Sequence, residues 1–450
     1  MFPSRIRQPF RLASAKLFTR RLSAWANVPQ APPDKILGLN ILYQLDTNPN
    51  KIDLGVGAYR TDKGEPWIMP SIRMAEEILA KTETDKEYAP ILGSPSFIDE
   101  VQRLLFNHDT SGYQLLADGR VVTAQGISGT GSLRVLSEFL AKFNPVCNAI
   151  LPNPTWANHI AILQESGIVT SKYRYYDYKT NGLDIDGLIE DLQSADPRTV
   201  ALFHLCCHNP TGVDATLEQW DQIIRVISER KLIPLLDMAY QGFESGDPIR
   251  DLRVLSKFND AVTRGMIPTY LLAQSFAKNM GLYGERVGTL SIVCADSKEA
   301  EKVRSQLARV VRPMYSSPPT HGSKLATIVL GNTKVYRQWL KDVKKMVTRL
   351  NTMRTLLYDK LTIEYSSPVQ WDHLLSQKGM FAYTGLNAEQ VTKLRERKSV
   401  YMTSDGRISL AGITSGNVDY LAKSIDEVTR DEDWAGETSS KSVTEERANQ

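Results

Sequence analysis

Residues 200–240 read VALFHLCCHNPTGVDATLEQWDQIIRVISERKLIPLLDMAY, and this stretch indicates the class of fold. The apolar run Val200–Cys206 predicts a buried strand, and a second apolar run, Leu232–Asp237, predicts another. Between them, Thr216 and Gln219 have the spacing of a capping box that opens a helix. A strand, a helix and a second strand in this order predict two parallel strands joined by a crossover helix.

Pro234 lies inside the second apolar run. Proline has no amide hydrogen to donate to a neighbouring strand, so within sheets it is usually confined to edge strands, first positions or bulges. We therefore expect the strand at 232–237 to lie at an edge of the sheet or to begin with a bulge.

The alternation of strands and helices extends from about residue 120 to residue 295. A helix is predicted over Gly131–Phe143, with Leu133, Leu136, Leu140 and Phe143 on one face. Strands alternating with helices of about 10–15 residues predict an α/β fold in which helices sandwich a mostly parallel sheet. The other predicted elements of this region are strands at 148–151, 270–274 and 288–294 and a helix at 156–166.

The first 23 residues are rich in arginine and serine, contain no acid and lack a continuous apolar run. This composition is typical of a mitochondrial transit peptide rather than a secretory signal. We expect import into the mitochondrial matrix and cleavage near 21–24. A plastid transit peptide and a basic N-terminus without function are the alternatives. The cations of this segment are Arg5, Arg7, Arg11, Lys16, Arg20 and Arg21.

The rest of the chain is mildly acidic, because removing those six cations lowers the net charge from +3 to −3. It therefore lacks the excess of cations that is typical of nucleic-acid-binding proteins. No apolar run reaches the roughly 18 residues of a membrane span. The four cysteines have no metal-ligand spacing, so we expect no metal site, and the adjacent Cys206 and Cys207 are predicted to be buried free thiols. The other two cysteines are Cys147 and Cys294.

From about residue 320 the chain becomes helical and charged, and short strands are predicted at 379–383 and 407–411. This change predicts a second, smaller α/β domain. The predicted division is a transit peptide at 1–23, an arm with part of the small domain at 24–66, a large domain at 67–345, the small domain at 346–430 and a polar, disordered tail at 431–450.

Three polar motifs follow predicted strands: Asn209–Gly212, Asp237–Tyr240 and Ser275–Lys278. Ligands of parallel sheets bind at the carboxyl ends of the strands, so three such ends predict one shared site. A fourth motif, Ser128–Gly131, opens the helix that is predicted to begin near Gly131. The free N–H groups and the dipole of a helix N-terminus favour an anion there, although an ordinary capping loop is the alternative.

These motifs, in this order and together with Arg286, resemble those of the aspartate aminotransferases, which are fold-type I pyridoxal-phosphate enzymes. The resemblance covers about 25–429. It implies a large domain that binds pyridoxal phosphate, a smaller α/β domain and an obligate homodimer. The other similar stretches are Pro33–Leu37, Gly55–Arg60, Tyr88–Gly93, Gln274–Arg286 and Arg312–Pro319.

The resemblance assigns the chemistry to Lys278, Asp237 and Tyr240. Lys278 would form the Schiff base with the cofactor and move the proton between substrate and cofactor. Asp237 would keep the ring nitrogen protonated, with His159 orienting it, and Tyr240 would donate to the phenolic oxygen. The alternatives are that Asp237 is a helix-cap or turn residue, which would be favoured if Tyr240 were absent, and that His159 is a core histidine.

Two arginines would set the substrate class. Arg407 would clamp the α-carboxylate and Arg312 the side-chain carboxylate, which implies dicarboxylic substrates. Arg312 and Tyr88 would reach the site from the partner subunit, and Gly57 would let the backbone approach the substrate. The implied cofactor-binding residues are Ser128, Gly129, Thr130, Trp156, Asn209, Asp237, Tyr240, Ser275, Lys278, Arg286 and Tyr88, of which Trp156 and Asn209 would also contact the substrate.

The implied reaction is the reversible transfer of the amino group from L-aspartate to 2-oxoglutarate, giving oxaloacetate and L-glutamate. It would follow a ping-pong path in which the cofactor alternates between its aldehyde and amine forms. Ser317 stands where the family usually has asparagine, and Cys207, Ala157 and Ala277 also depart from the common pattern. The alternatives are an aromatic or broad-specificity aminotransferase and a non-catalytic, lipid- or membrane-associated scaffold of the same fold.

Overall fold

The structure is a computed structural model of one chain, and it describes residues 23–31, 35–55 and 57–430. The predicted tail, and the predicted transit peptide apart from Ser23, lie outside the described residues. Across the described residues, no helix is both long and apolar enough to span a bilayer.

The strands include all five predicted in the α/β region, with boundaries within about two residues. They are β1 Ile52–Asp53, β2 Val121–Ile127, β3 Asn148–Asn153, β4 Val169–Arg174, β5 Tyr176–Asp177, β6 Gly182–Leu183, β7 Val200–His204, β8 Ile233–Met238, β9 Tyr270–Ser275, β10 Val287–Val293, β11 Phe381–Tyr383, β12 Val400–Tyr401 and β13 Arg407–Ser409.

The helices lie between these strands and dominate the chain after β10. They are α1 Lys35–Leu45, α2 Pro70–Thr82, α3 Pro95–Phe106, α4 Thr110–Ala117, α5 Ser128–Phe143, α6 Ala157–Gln164, α7 Ile185–Ser194, α8 Leu217–Arg230, α9 Arg253–Thr263, α10 Ser297–Tyr315, α11 His321–Gly331, α12 Thr333–Asp359, α13 His373–Ser376, α14 Ala388–Lys398 and α15 Val418–Arg430. Short 3₁₀ turns at Arg250–Leu252 and Leu410–Gly412 and a π turn at Lys360–Glu364 complete the set.

Seven strands form one sheet in the order β2-β10-β9-β8-β7-β3-β4. Six of them run in the same direction, and β10 is antiparallel to both of its neighbours. The prediction of a mostly parallel sheet is therefore confirmed. The predicted capping box is also confirmed, since Thr216 and Gln219 exchange hydrogen bonds at the start of α8.

Apolar side chains cover both faces of this sheet. Alternate residues of β7 belong to different core clusters, with Leu202 in one and Phe203 in the other. The first cluster includes the inward faces of α5 and α10, and the second includes those of α8, α9 and α12. Helices therefore sandwich the sheet, as the sequence predicted, because a strand buried on both faces needs apolar residues at every position.

The edge position predicted from Pro234 is wrong. Strand β8 lies between β7 and β9, and Pro234 pairs with Ala201 in a regular register without a bulge. The pairing of β8 with β9 begins only at Leu235, opposite Leu271. Pro234 therefore lies before the ladder on that side starts, where its missing N–H interrupts no pairing.

Helix α5 differs from its prediction at both ends. It begins at Ser128 rather than near Gly131, and Phe143 is 47% exposed instead of facing the core. The N-terminus of α5 lies directly against β10: a Cβ on Gly288 would be 2.9 Å from the Ser128 backbone. Only glycine permits this close approach, which brings the first N–H groups of α5 to the edge of the sheet.

The C-terminal region forms two small two-stranded sheets, β1 with β12 and β11 with β13. The pairing of β1 with β12 joins the N-terminal segment to the C-terminal region, consistent with a small domain built from both. The predicted boundary at 345 falls inside α12, and the division into domains stays a prediction.

Candidate active site

The polar motifs converge because of the direction of each strand. The carboxyl ends of β2, β7, β8 and β9 lie at the same edge of the sheet and lead into Ser128, Asn209, Tyr240 and Lys278. Strand β10 runs the other way, so its first residues lie at that same edge and bring Arg286 there. Five chain segments therefore meet at one place.

A cavity of about 150 Å³ opens at this edge. It collects the predicted site residues with three exceptions: Tyr88 and Arg312 do not line it, and His159 lies behind Asp237. The lining residues are Gly55, Gly57, Ser128, Gly129, Thr130, Leu133, Trp156, Asn209, Asp237, Ala239, Tyr240, Ser275, Lys278, Arg286, Phe381 and Arg407.

Lys278 places its amine inside the cavity. Its Nζ lies 5.2 Å from the centroid of the Tyr240 ring. Burial lowers the pKa of Lys278 and the nearby Arg286 lowers it further, although Asp237 partly opposes both. A lowered pKa increases the fraction of neutral amine, which is the form that reacts with carbonyl groups.

Asp237 presents a carboxylate from the end of β8, and it is only 7% exposed. Its Oδ2 lies 3.2 Å from Nε2 of His159, whose Nδ1 is 2.9 Å from the Thr155 hydroxyl. Burial alone raises the pKa of Asp237, but the hydrogen bond with His159 and nearby positive charge, including Lys278, outweigh it and lower the pKa. Asp237 is therefore an anion at neutral pH, held in orientation by His159.

A third buried residue, His204, lies beside this pair. Atoms of His159, His204 and Asp237 that could ligate a metal lie within 4.8 Å of one another. Nε2 of His159 and Oδ2 of Asp237 are already paired with each other. Nδ1 of His204 accepts a hydrogen bond from the Asn209 N–H at 3.0 Å, and its Nε2 is buried without a hydrogen-bond partner. Burial, together with His159, lowers the pKa of His204 to about 3, so its ring is neutral. We interpret His159 and His204 as residues that hold Asp237 in place. The absence of a metal stays a prediction.

One part of the cavity wall is suited to an anion. Gly129 and Thr130 line the cavity in the first turn of α5, and their N–H groups have no partner within the helix. The Ser128 N–H instead donates to the Arg286 carbonyl at 3.1 Å. The hydroxyls of Ser128 and Ser275 lie 2.8 Å apart. Arg286 also lines the cavity, with one guanidinium nitrogen donating to the Tyr283 carbonyl at 2.9 Å. Hydroxyls, free N–H groups and a guanidinium are the donors that a phosphate group needs.

Arg407 forms a second cationic wall and is only 5% exposed. Its Nη1 donates to Oδ1 of Asn209 at 3.2 Å, and its Nη2 donates to the Gly55 carbonyl at 3.4 Å. The guanidinium carbon lies 4.3 Å from the centroid of the Phe381 ring. These contacts include no carboxylate, so the buried cation can bind the carboxylate of a ligand.

Tyr240 and Asn209 also line the cavity. Burial raises the pKa of Tyr240 well above its ordinary value, so its hydroxyl stays protonated and can donate a hydrogen bond. Asn209 accepts from Arg407, which leaves its amide N–H groups available to a ligand. Gly57 lines the cavity, and a Cβ there would be 3.9 Å from Phe381, so packing within the chain does not require glycine at this position.

Tyr88 and Arg312 lie on the surface of the chain. Tyr88 is 90% exposed, and Arg312, in the last turn of α10, donates to the Ser316 hydroxyl at 2.9 Å. The sequence assigned both residues to the site of a partner subunit. Their exposure is compatible with that assignment, which the single chain does not test.

Four residues that complete the cavity wall were not predicted as site residues: Gly55, Leu133, Ala239 and Phe381. Phe381 was predicted only as part of a short strand. The register of β11 against β13 pairs Tyr383 with Arg407 and so brings Phe381 close to that arginine. No local sequence signal reports such a register.

Comparison with known proteins gives one consistent result. The sequence model of the family described as "Aminotransferase class I and II" matches residues 49–425. The chain is 45% identical to the mitochondrial aspartate aminotransferase of chicken (Gallus gallus) over 412 residues, which are 91% of this chain and 95% of that protein.

Two solved structures are similar over almost the whole chain. One is aspartate aminotransferase from the cytoplasm of Saccharomyces cerevisiae, with a TM-score of 0.87, 38% identity and coverage of 90% of this chain and 98% of that one. The other is an aromatic-amino-acid aminotransferase from Burkholderia pseudomallei covalently bound to pyridoxal phosphate, with a TM-score of 0.86, 38% identity and coverage of 91% and 100%. These similarities confirm the predicted fold-type I architecture.

Proposed function

The chain belongs to the class I and II aminotransferases, with pyridoxal phosphate as cofactor, and we propose that it transfers the amino group of L-aspartate to 2-oxoglutarate. The products are oxaloacetate and L-glutamate. One observation carries this proposal: an amine, a buried carboxylate, an anion site and a buried guanidinium all line the same cavity. The aspartate aminotransferase of chicken supports the choice of substrate.

The cavity residues fit pyridoxal phosphate group by group. The N–H groups of Gly129 and Thr130, the hydroxyls of Ser128 and Ser275, and Arg286 would hold the phosphate. The amine of Lys278 would be the group to which the aldehyde attaches, and Trp156, which also lines the cavity, would contact the ring. When bound, the cofactor supplies an electron sink for the carbanion that forms at the substrate α-carbon.

Asp237 and Lys278 control the protons. The Asp237 carboxylate would accept from the N–H of the cofactor ring and keep that nitrogen protonated, because a buried anion favours a neighbouring cation. His159 holds this carboxylate in place. With its amine free, Lys278 would take up the proton from the substrate α-carbon and release it on the cofactor side. Tyr240 and Asn209 would donate to the phenolic oxygen.

Two arginines bind the two carboxylates of the substrate. Arg407 binds the α-carboxylate, since its buried guanidinium is fixed by Asn209, Gly55 and the Phe381 ring. Arg312 of a second subunit would bind the side-chain carboxylate, and Tyr88 of that subunit would contact the cofactor. The exposure of both residues in the single chain supports a homodimer whose two sites are shared.

A panel of amino donors and keto acceptors, measured on residues 24–450, tests the proposal. We expect the highest kcat/KM for L-aspartate with 2-oxoglutarate. Equal efficiency for aspartate and phenylalanine would instead favour an aromatic or broad-specificity enzyme, an alternative that the Burkholderia pseudomallei structure supports. A purified protein that shows no visible absorbance even with added pyridoxal phosphate would favour the non-catalytic scaffold.

Arg312→Asp should lower kcat/KM for aspartate by about 100-fold or more, because the substrate carboxylate loses a desolvated charge partner and meets a like charge. Activity toward an uncharged amino acid should change much less, and the ratio of the two efficiencies is the measurement. Arg309→Asp, on the same helix, is the matched control for a reversed charge. An unchanged aspartate preference would contradict the role given to Arg312.

The same variant tests the shared site. A hybrid dimer of one Lys278→Ala subunit and one Arg312→Asp subunit has one site with both residues intact, if Arg312 acts across the interface. Mixing the two variants under conditions of subunit exchange should therefore restore about a quarter of the wild-type activity toward aspartate, since half of the dimers are hybrids with one fully active site each. No recovery despite demonstrated exchange would place Arg312 in its own subunit's site.

We further propose that the enzyme works in the mitochondrial matrix. The support is the acid-free, arginine-rich stretch 1–23 and the similarity to a mitochondrial aspartate aminotransferase, although the yeast relative is cytoplasmic. A fluorescent protein fused to residues 1–23 should reach mitochondria and lose the segment. Retention in the cytosol or delivery to plastids would reject the proposal.

A further inference from the structure

A second cavity, of about 190 Å³, lies where the loop after β7 meets the loop after β8. Three acids line it, Asp214, Glu244 and Asp251, together with Arg253. Both loops lie outside the strands of the sheet, yet the first carries Asn209 and the second follows Tyr240. The question is what holds these two loops in place.

Asp214 holds the first loop through its backbone. Its Oδ2 accepts a hydrogen bond from the Cys207 N–H at 2.6 Å, and its Oδ1 accepts one from the His208 N–H at 2.8 Å. Cys207 has a positive φ of 55°, a conformation that non-glycine residues rarely adopt. A carboxylate that accepts two consecutive N–H groups stabilises this turn, immediately before Asn209.

Asp251 does the same for the second loop. It is 2% exposed, and its Oδ2 accepts from the N–H groups of Gly242 and Glu244 at 2.8 and 3.0 Å. Its Oδ1 accepts from the Ser245 N–H at 3.1 Å and also from the Ser245 hydroxyl. One carboxylate thus gathers three backbone N–H groups from the turn that follows Tyr240.

Further contacts connect these two loops to the residues that line the first cavity. Asn209 donates its backbone N–H to His204 and accepts from Arg407 through its side chain, so a shift of its loop displaces both contacts. Tyr240 packs edge-to-face against Phe381, with ring centroids 5.9 Å apart. The side chains that face the proposed cofactor are therefore placed by carboxylates that do not line its cavity.

We propose that Asp214 and Asp251 are positioning residues, which hold Asn209 and Tyr240 in the geometry that the cofactor requires. This inference rests on the proposed function, in which Asn209 and Tyr240 would donate to the phenolic oxygen of the cofactor. Asp214 acts through the backbone before Asn209, and Asp251 acts through the backbone after Tyr240.

The raised pKa values of Asp214 and Asp251 agree with a role in positioning the two loops rather than in stabilising the fold. Burial, with added repulsion from Glu244 and Asp251, raises the pKa of Asp214 to about 7, and burial raises the pKa of Asp251 to about 6. A carboxyl whose pKa rises on folding destabilises the folded state once it is ionised. Asparagine would avoid this cost, but its single side-chain oxygen cannot reproduce the carboxylate's acceptance of N–H groups on both oxygens.

A double-mutant cycle tests the inference in the holoenzyme. Asp214→Asn alone should lower kcat/KM about tenfold, since a small misplacement of a catalytic group has effects of that order or larger. In the Asn209→Ala background the same change should have almost no further effect, because Asp214 acts through Asn209. If the double variant instead lost kcat/KM by the product of the two single losses, the inference would be overturned.

A spectroscopic readout separates positioning from loss of stability. The pH midpoint of the cofactor's visible absorbance should rise by about half a unit or more in Asp214→Asn, because a weakened donor stabilises the phenolate less. The dissociation constant for pyridoxal phosphate should change little, since the phosphate contacts are intact. An unchanged midpoint in a folded Asp214→Asn enzyme would contradict the positioning role.

Asp296→Asn is the matched control. Asp296 also accepts a backbone N–H, that of Glu299 at 2.8 Å, but it follows the far end of β10, away from the site. It should leave kcat/KM and the absorbance midpoint unchanged, and a change as large as that of Asp214→Asn would overturn the inference.

The second loop supplies an independent cycle, Asp251→Asn with Tyr240→Phe, which decides the question if Asp214→Asn does not fold. A double variant whose loss of kcat/KM is smaller than the product of the single losses would support the inference, and a loss equal to that product would overturn it.

The outcomes also separate the two proposals. A wild type without visible absorbance or aspartate turnover refutes the proposed function, whereas an active wild type with unaffected variants refutes only the positioning role.

Discussion

Replacing Lys278 with alanine should lower kcat by about 10⁴-fold or more, because general acid–base catalysis alone typically contributes 10²–10⁴-fold and covalent attachment is lost as well. The amine of Lys278 is the one that the structure places in the cavity, and burial and Arg286 lower its pKa. Pyridoxal phosphate should still bind to Lys278→Ala, since the start of α5, Ser275 and Arg286 remain. The measurement is the rate in single-turnover and steady-state assays.

Two controls sharpen this prediction. Lys257 is partly buried, lies on a helix away from the cavity and pairs with Asp221 at 2.7 Å. Lys257→Ala should keep full activity. Borohydride reduction of the wild-type holoenzyme, followed by peptide mapping, should fix the cofactor on Lys278. Label on another lysine, or undiminished turnover of the alanine variant, would refute the assignment.

Asp237→Asn should lower kcat by about two to three orders of magnitude. Removing one partner of a buried ion pair costs about 3–5 kcal/mol, and each 1.4 kcal/mol corresponds to a factor of about ten in rate. The amide has a similar shape and still reaches His159, so the loss reports the negative charge rather than the packing. The visible absorbance should also change its dependence on pH, because the ring nitrogen loses the anion that keeps it protonated.

Asp342→Asn is the matched control for a buried carboxylate. Asp342 is 2% exposed and accepts hydrogen bonds from the Ser71 N–H and the Gln338 amide, and it does not line the cavity. This variant should lose thermal stability but keep its kcat and absorbance profile. If Asp237→Asn behaved in the same way, with normal turnover in a destabilised protein, Asp237 would be a structural residue.

Local patterns were sufficient to predict much of the fold. The apolar runs at 200–206 and 270–274, the capping box at 216–219 and the polar motifs after the strands depend on residues close together in sequence, and the structure has them where expected. Predictions that needed the pairing of strands were less successful. The position of Pro234 was wrong because its effect depends on where the β8–β9 ladder begins.

The sequence alone determined which groups are available for chemistry: the amine of Lys278, the acid of Asp237, the donors at 128–130 and the two guanidinium groups of Arg407 and Arg312. These groups are covalent properties of the chain, and their motifs are short. Tertiary structure decided how they meet. The reversed direction of β10 brings Arg286 to the site edge, the register of β11 with β13 places Phe381 under Arg407, and Asp214 and Asp251 gather two loops. Such arrangements depend on contacts between residues distant in sequence, which local propensity and spacing do not encode.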